Sequence, residues 1–215
     1  MALLSVLVPD VRMEVPEVPS FVAQRQLLRA MREFCEFTRA WRVNVSVGVT
    51  KNVATVNLTS LLPGGTELVD IISMKNADGG APPEPRTYRW LDKNISDWRS
   101  ESEPDANYYV LDGNNTVRFM PTPSATTAGK YTARVSVKPL LTATTINDVL
   151  VNKYSELFIH GALAYLYAVP RKPWTDASLA QYHDLRFRDG LPSARAEAAD
   201  EFQTGIPRKV KYGGL

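Results

Sequence analysis

Little in this sequence is reactive. Its 215 residues include one cysteine, Cys35, and two histidines, His160 and His183. One cysteine excludes an intrachain disulfide and any cysteine-rich metal centre. Two histidines leave most histidine-based zinc chemistry without its ligands, so neither a metal nor a cofactor is expected. Charge of one sign is also missing. The 25 Lys and Arg nearly balance the 23 Asp and Glu, for a formal charge of +2, too little for a dedicated nucleic-acid polycation or an acidic tail protein. No apolar run approaches the ~20 residues of a membrane-spanning helix, so no membrane partner is expected. Ala2 to Val8 is apolar but short, lacks a preceding basic residue and runs into Pro9-Asp10, unlike a targeting signal. The sequons at Asn44, Asn57, Asn94 and Asn114 are read as chance matches in a chain that stays outside the secretory pathway.

Proline is plentiful, at 15 against 12 glycines, which implies many fixed turns and extended arms. Hydrophobic residues at 44% and aromatics at 9% suit a folded chain. At this length about 70% of the unfolded surface can be buried, in one generous domain or two small ones.

The period of the apolar residues divides the chain into zones. From Ser20, read as an N-cap, the residues Gln24, Leu27, Leu28, Met31, Phe34, Cys35, Thr38 and Trp41 recur at spacings of three and four, which predicts an amphipathic helix ending near Trp41. Alternation then takes over: Val45, Val47 and Val49 face one way. Further strands are predicted over 53–59, 67–74, 86–91, 108–111, 116–120 and 130–138. Asp112-Gly113-Asn114-Asn115 reads as the four-residue loop of a hairpin. Ala81-Pro82-Pro83-Glu84-Pro85 cannot pair in a sheet interior and is expected to be an exposed loop or arm. Helical spacing returns with Val149, Leu150, Tyr154, Leu157, Phe158, Gly161 and Tyr165. There the small residues Gly161, Ala162, Ala164 and Ala168 allow a neighbouring helix to come close. A third helix starts at Thr175 or Asp176, and Pro192 is expected to kink or split it. The expected fold is α+β: a bundle of three main helices (19–42 plus 145–204), an inserted antiparallel β-sandwich or barrel (43–140), an N-terminal arm (1–18) and an extended C-terminal tail (205–215). Trp41 and Tyr154 are candidates for the junction of the two parts.

Catalytic signatures are absent from the sequence. There is no H-E-x-x-H, no G-x-S-x-G, no phosphate loop and no dinucleotide fingerprint. His160 reads as a satisfied interhelical histidine, His183 as one on the surface or edge of the bundle, and Cys35 as a small buried hydrophobe. Carboxylate pairs among Asp97, Glu101 and Glu103 fall in a polar loop and keep a glycosidase arrangement open. Tyr88, Trp90, Trp98, Tyr108 and Tyr109 would serve either as core and loop anchors or as a platform for a sugar or base. The basic tail, with Arg208, Lys209 and Lys211 and no acid, suits a hook laid on a partner protein.

The order of certain motifs resembles that of phage head-to-tail adaptor proteins, also called connector or head-completion proteins and related to the tail tubular proteins of short-tailed phages. The resemblance rests on Pro16-Glu17-Val18-Pro19; on Phe34-Cys35-Glu36 followed by Thr38 and Trp41-Arg42; on Thr116-Val117-Arg118-Phe119-Met120-Pro121-Thr122-Pro123; and on His160-Gly161-Ala162-Leu163 and Lys172-Pro173-Trp174. It spans residues 16 to 200 and departs at Asp189-Gly190-Leu191-Pro192, where such proteins keep a continuous helix. It implies a structural, non-catalytic virion protein assembled in the host cytoplasm. Twelve subunits would form a ring below the portal, extend the DNA channel without sequence readout and carry the tail or nozzle. Arg208, Lys209, Val210, Lys211 and Tyr212 are the candidate contacts to the portal or a neighbouring subunit, and Phe34, Cys35, Trp41, Tyr154 and Trp174 the structural anchors. The alternative is a β-domain binding module for glycans or another host-surface ligand, carried by Tyr88, Trp90 and Trp98.

Overall fold

The computed structural model describes residues 2–113 and 115–200. The chain opens with strand β1 (Ala2–Leu3), a 3-10 turn over Leu4–Leu7 and helix α1 (Val8–Glu14). The expected extended arm is therefore a folded segment. Leu4, Leu7, Val8, Val11, Val15 and Val18 are buried, and their helical spacing gives the segment an inner face. Pro9 does not prevent this, because it sits in the first turn of α1, where a missing N–H breaks no helical bond.

Helix α2 (Ser20–Thr38) buries Ala23, Leu27, Ala30, Met31, Phe34 and Thr38. Ser20 is not its cap. Pro19 holds that position in an extended conformation, and its carbonyl accepts from Val22 and Ala23. Ser20 Oγ instead accepts from Arg12 Nη1 at 3.4 Å. The helix stops short of Trp41 because Arg39 is left-handed, at φ 53°, while Thr38 Oγ1 donates to Phe34 O and accepts from Ala40 N.

Ten further strands follow: β2 (Arg42–Val49), β3 (Thr55–Asn57), β4 (Thr66–Asn76), β5 (Glu84–Pro85), β6 (Ser102–Glu103), β7 (Tyr108–Asp112), β8 (Thr116–Met120), β9 (Thr122–Pro123), β10 (Thr127–Pro139) and β11 (Thr145–Ile146), with helix α3 (Tyr88–Asn94) after β5. Among the described residues they form sheets of two, three and four strands, so of the expected sandwich or barrel the closed barrel is not made. Long β10 is the centre of the antiparallel sheet β2-β10-β4, with Ala133 opposite both Val45 and Met74. The second sheet has the order β3-β8-β7-β5. Its β7–β8 hairpin already pairs Asp112 with Thr116, so the connecting loop is one residue shorter than expected. Glu84–Pro85 runs parallel to β7 at the edge, where a proline costs no interior ladder bond. Phe119 of one sheet stacks on Tyr131 of the other, with centroids 4.9 Å apart.

The strand expected over 86–91 is corrected. Its second half is helix α3, capped by the Thr87 side chain, which accepts from Trp90 N at 3.3 Å. Leu91 turns into a small core with Trp98, Val110 and Met120.

Helices α4 (Asp148–Tyr167) and α5 (Ala177–Ala199) form an antiparallel pair. Asn147 caps the first by accepting from Val149, and Asp176 caps the second by accepting from Ser178 and Leu179. Helix α5 runs unbroken through Pro192. That proline lies on the exposed side, and the expected split does not occur. Helix α4 has its own irregularity at Tyr154, with φ −123° and ψ 22°. The larger of the two apolar cores among the described residues runs through α1, α2, α4 and α5 into β2 and β10.

Candidate functional site

The five anchor candidates sit in or against that core. Phe34 is fully buried. Its ring centroid lies 4.8 Å from Tyr154 and 5.0 Å, edge-on, from Phe158. Cys35 is buried beside it, and desolvation pushes its thiol up to about 12, far from the thiolate a nucleophile needs. Trp41 is buried and its carbonyl accepts from Val137 N at 2.9 Å, which ties the exit of α2 to β10. Tyr154 donates to Glu197 Oε2 at 2.6 Å, and Lys153 meets the same carboxylate at 2.9 Å. Trp174 is half-buried against the core. The other five candidates, Arg208, Lys209, Val210, Lys211 and Tyr212, lie outside the described residues.

The aromatic cluster in the β part is occupied by its own chain. Tyr88 stacks on Trp98 at 5.9 Å and Trp90 tilts against Tyr108 at 5.3 Å. Arg86 covers Trp90 at 4.6 Å and Arg99 covers Trp98 at 4.1 Å, while Trp98 Nε1 donates to Asp92. Asp97, Glu101 and Glu103 are exposed.

The histidines are joined across α4 and α5, an arrangement not anticipated for His183. The two Nδ1 atoms are 2.7 Å apart, so one ring donates and the other accepts. His183 is 7% exposed and stacks on Tyr167 at 5.6 Å. A local signal was available: the turn is closed by Asp176 N donating to Tyr167 O, and His160 and His183 lie seven residues outward on either side, two turns along each helix. Burial lowers both pKa values, reinforced by Arg186 for His160 and by His160 for His183. Glu14 opposes the shift at both rings and Glu156 at His160. Among the described residues no group of three His, Cys, Asp or Glu is placed to hold a metal.

A pH dependence follows from the sign of those shifts. The unfolded chain takes up protons on these rings before the folded chain does. The contribution of the pair is thus present above the ordinary histidine value of about 6.5 and is lost as the pH falls below it. Thermal melts at pH 7.5 and 5.5 should show acid destabilisation, and His183→Gln should reduce the difference. An equal difference in the variant would mean that other groups carry it.

A groove lies between α2 and the segment before β11. It encloses about 660 Å³ and is lined by Phe21, Arg25, Leu28, Arg29, Arg32 and Leu141 among others, with no carboxylate on its walls. Arg32 is held by Glu67 at 2.7 Å and by Pro139 O. Arg29 lies over the Tyr165 ring at 3.9 Å. Gln26 Oε1, also in the wall, is shut off from solvent and has no hydrogen-bond partner among the described residues. This groove could not be anticipated from local patterns, because Phe21 and Leu141 are 120 positions apart.

No helix among the described residues is long and apolar enough to cross a membrane. No curated relative matches the chain. A family model described as the SU10 adaptor protein matches residues 2–208, and the chain belongs to that family of phage adaptor proteins, components of the head–tail junction of the virion.

Proposed function

We propose that this adaptor is a structural, non-catalytic subunit of the virion neck, akin to tail tubular proteins. Copies assemble in the host cytoplasm as a ring below the portal, twelve by the resemblance to connector proteins. The ring extends the DNA channel and offers a platform to the tail or nozzle. The observation that carries the reading is the family match over 2–208. Two others support it. The reactive side chains, Cys35 and the histidine pair, are built into the packing between elements. The near-neutral charge of +2 lets DNA pass without the retention that a polycationic lumen would cause.

Mixing the full chain with portal and imaging the product tests this. A ring seated on the portal is the expected result, and a monomer that never joins it refutes the reading. Residues 206–215 are proposed to dock on the portal or an adjacent subunit. Their deletion should weaken attachment by about tenfold or more, the loss of a modest contact set. Unchanged attachment removes the tail from the interface.

A further inference from the structure

Met13, Leu141 and Phe21 are the most exposed large apolar side chains among the described residues, at 79%, 76% and 73%. They belong to two patches. Phe21 and Leu141 flank the groove beside Arg25 and Arg29. Met13 stands on the outer face of the N-terminal segment, where Val6, Asp10 and Met13 follow at helical spacing and are exposed, as is Leu3 in β1 before them. That face is opposite the buried Leu4, Leu7, Val8 and Val11. Glu17, in the turn after α1, is also exposed.

The charges of the two patches are opposite. The groove wall carries three arginines and no carboxylate. The 3–17 segment carries Asp10 and Glu17, and its one cation, Arg12, is turned to Ser20 of its own chain. Among the described residues Arg25, Asp10 and Glu17 have no partner within the chain. Each patch thus offers a large apolar side chain and an unsatisfied charge, the ingredients of an anchored contact with steering.

We propose that the groove between α2 and Leu141 receives the outer face of the 3–17 segment of a second copy of this chain, Met13 entering between Phe21 and Leu141 while Asp10 and Glu17 meet Arg25. This rests on the reading of the protein as a ring subunit and names the surfaces that join. The two patches differ, so the contact is heterologous, the kind that closes into a ring when its rotation divides the circle.

Single variants Met13→Cys and Leu141→Cys, at exposed sites, are mixed under mild oxidation with the full chain otherwise intact. Cys35 is buried and does not compete. The mixture should give a disulfide-linked dimer, and the double variant a ladder. Absence of cross-linking in both overturns the proposal. Arg25→Glu should weaken self-association about tenfold, a typical cost for a charge reversed at an interface, and adding Asp10→Lys with Glu17→Lys should restore most of it. Unchanged association in Arg25→Glu also overturns it. Electron microscopy separates the two levels. A ring without the cross-link sinks this contact and spares the ring; a cross-linked dimer that never closes does the reverse.

Discussion

Phe34→Ala is expected to cost about 3–5 kcal/mol, the range for removing a fully buried aromatic ring, and to lower the melting temperature by roughly 6–20 °C at this chain length. The ring fills the space where α2 crosses the irregular turn of α4, in contact with Tyr154 and Phe158. Neither neighbour is free to collapse into the hole. Tyr154 is held by its bond to Glu197 on α5, and Phe158 is itself fully buried. The cavity term therefore adds to the lost transfer energy. Phe34→Leu should cost much less, since most of the volume remains. Chemical denaturation with both variants measures the difference, and a loss below about 1 kcal/mol for the alanine would show that Phe34 is not a keystone of this core.

What was legible in the sequence was whatever local chemistry decides. Helix α2 follows from an apolar period sustained over five turns. The β7–β8 hairpin follows from two strand-like runs around a Gly-Asn turn, α4 from the apolar stripe that begins at Val149, and α5 from a start at Thr175 or Asp176. What was missed turned on short or distant terms. Helix α1 has two turns and a proline, and its inner valines show a period only once Pro9 is placed in the first turn. Helix α3 contains Tyr88 and Trp90, residues that suit a strand, and a single cap at Thr87 decides otherwise. Pro192 lies on the exposed side of an unsplit α5, which the sequence cannot show. The parallel pairings of β5 with β7 and β6 with β9 depend on the path of the whole chain. The same holds for the groove, since nothing near Phe21 announces that Leu141 will stand beside it. The family was readable from the order of motifs, whereas the surface proposed to join subunits was not.

Gly161→Val is expected to be nearly as costly as Phe34→Ala, for the opposite reason. A Cβ on Gly161 would lie 2.7 Å from Ala30 Cβ on α2 and 3.0 and 3.1 Å from the Phe187 ring on α5. The first of these cannot yield by rotation, because an alanine Cβ moves only with its backbone, and the ring is itself buried. Gly161→Ala gains up to about 1 kcal/mol of helix propensity, but the overpacking costs about 1–3 kcal/mol. A net loss is expected, larger for valine, at about 3 kcal/mol or more. Gly190 supplies the control. Its added Cβ would meet Leu157 Cδ1 at 2.3 Å, a closer clash on paper, yet that atom is the end of a flexible side chain that can swing aside. Gly190→Ala should thus be near neutral, with the propensity gain offsetting the rotamer shift. A reversed order, with Gly190→Ala the more damaging, would contradict the close approach of α2 to α4 at Gly161. The effect should also reach the surface. Relieving the clash displaces α2, which carries Phe21 and Arg25. A folded Gly161→Ala protein should therefore cross-link less efficiently between Met13→Cys and Leu141→Cys subunits than the parent, whereas Gly190→Ala should cross-link equally well.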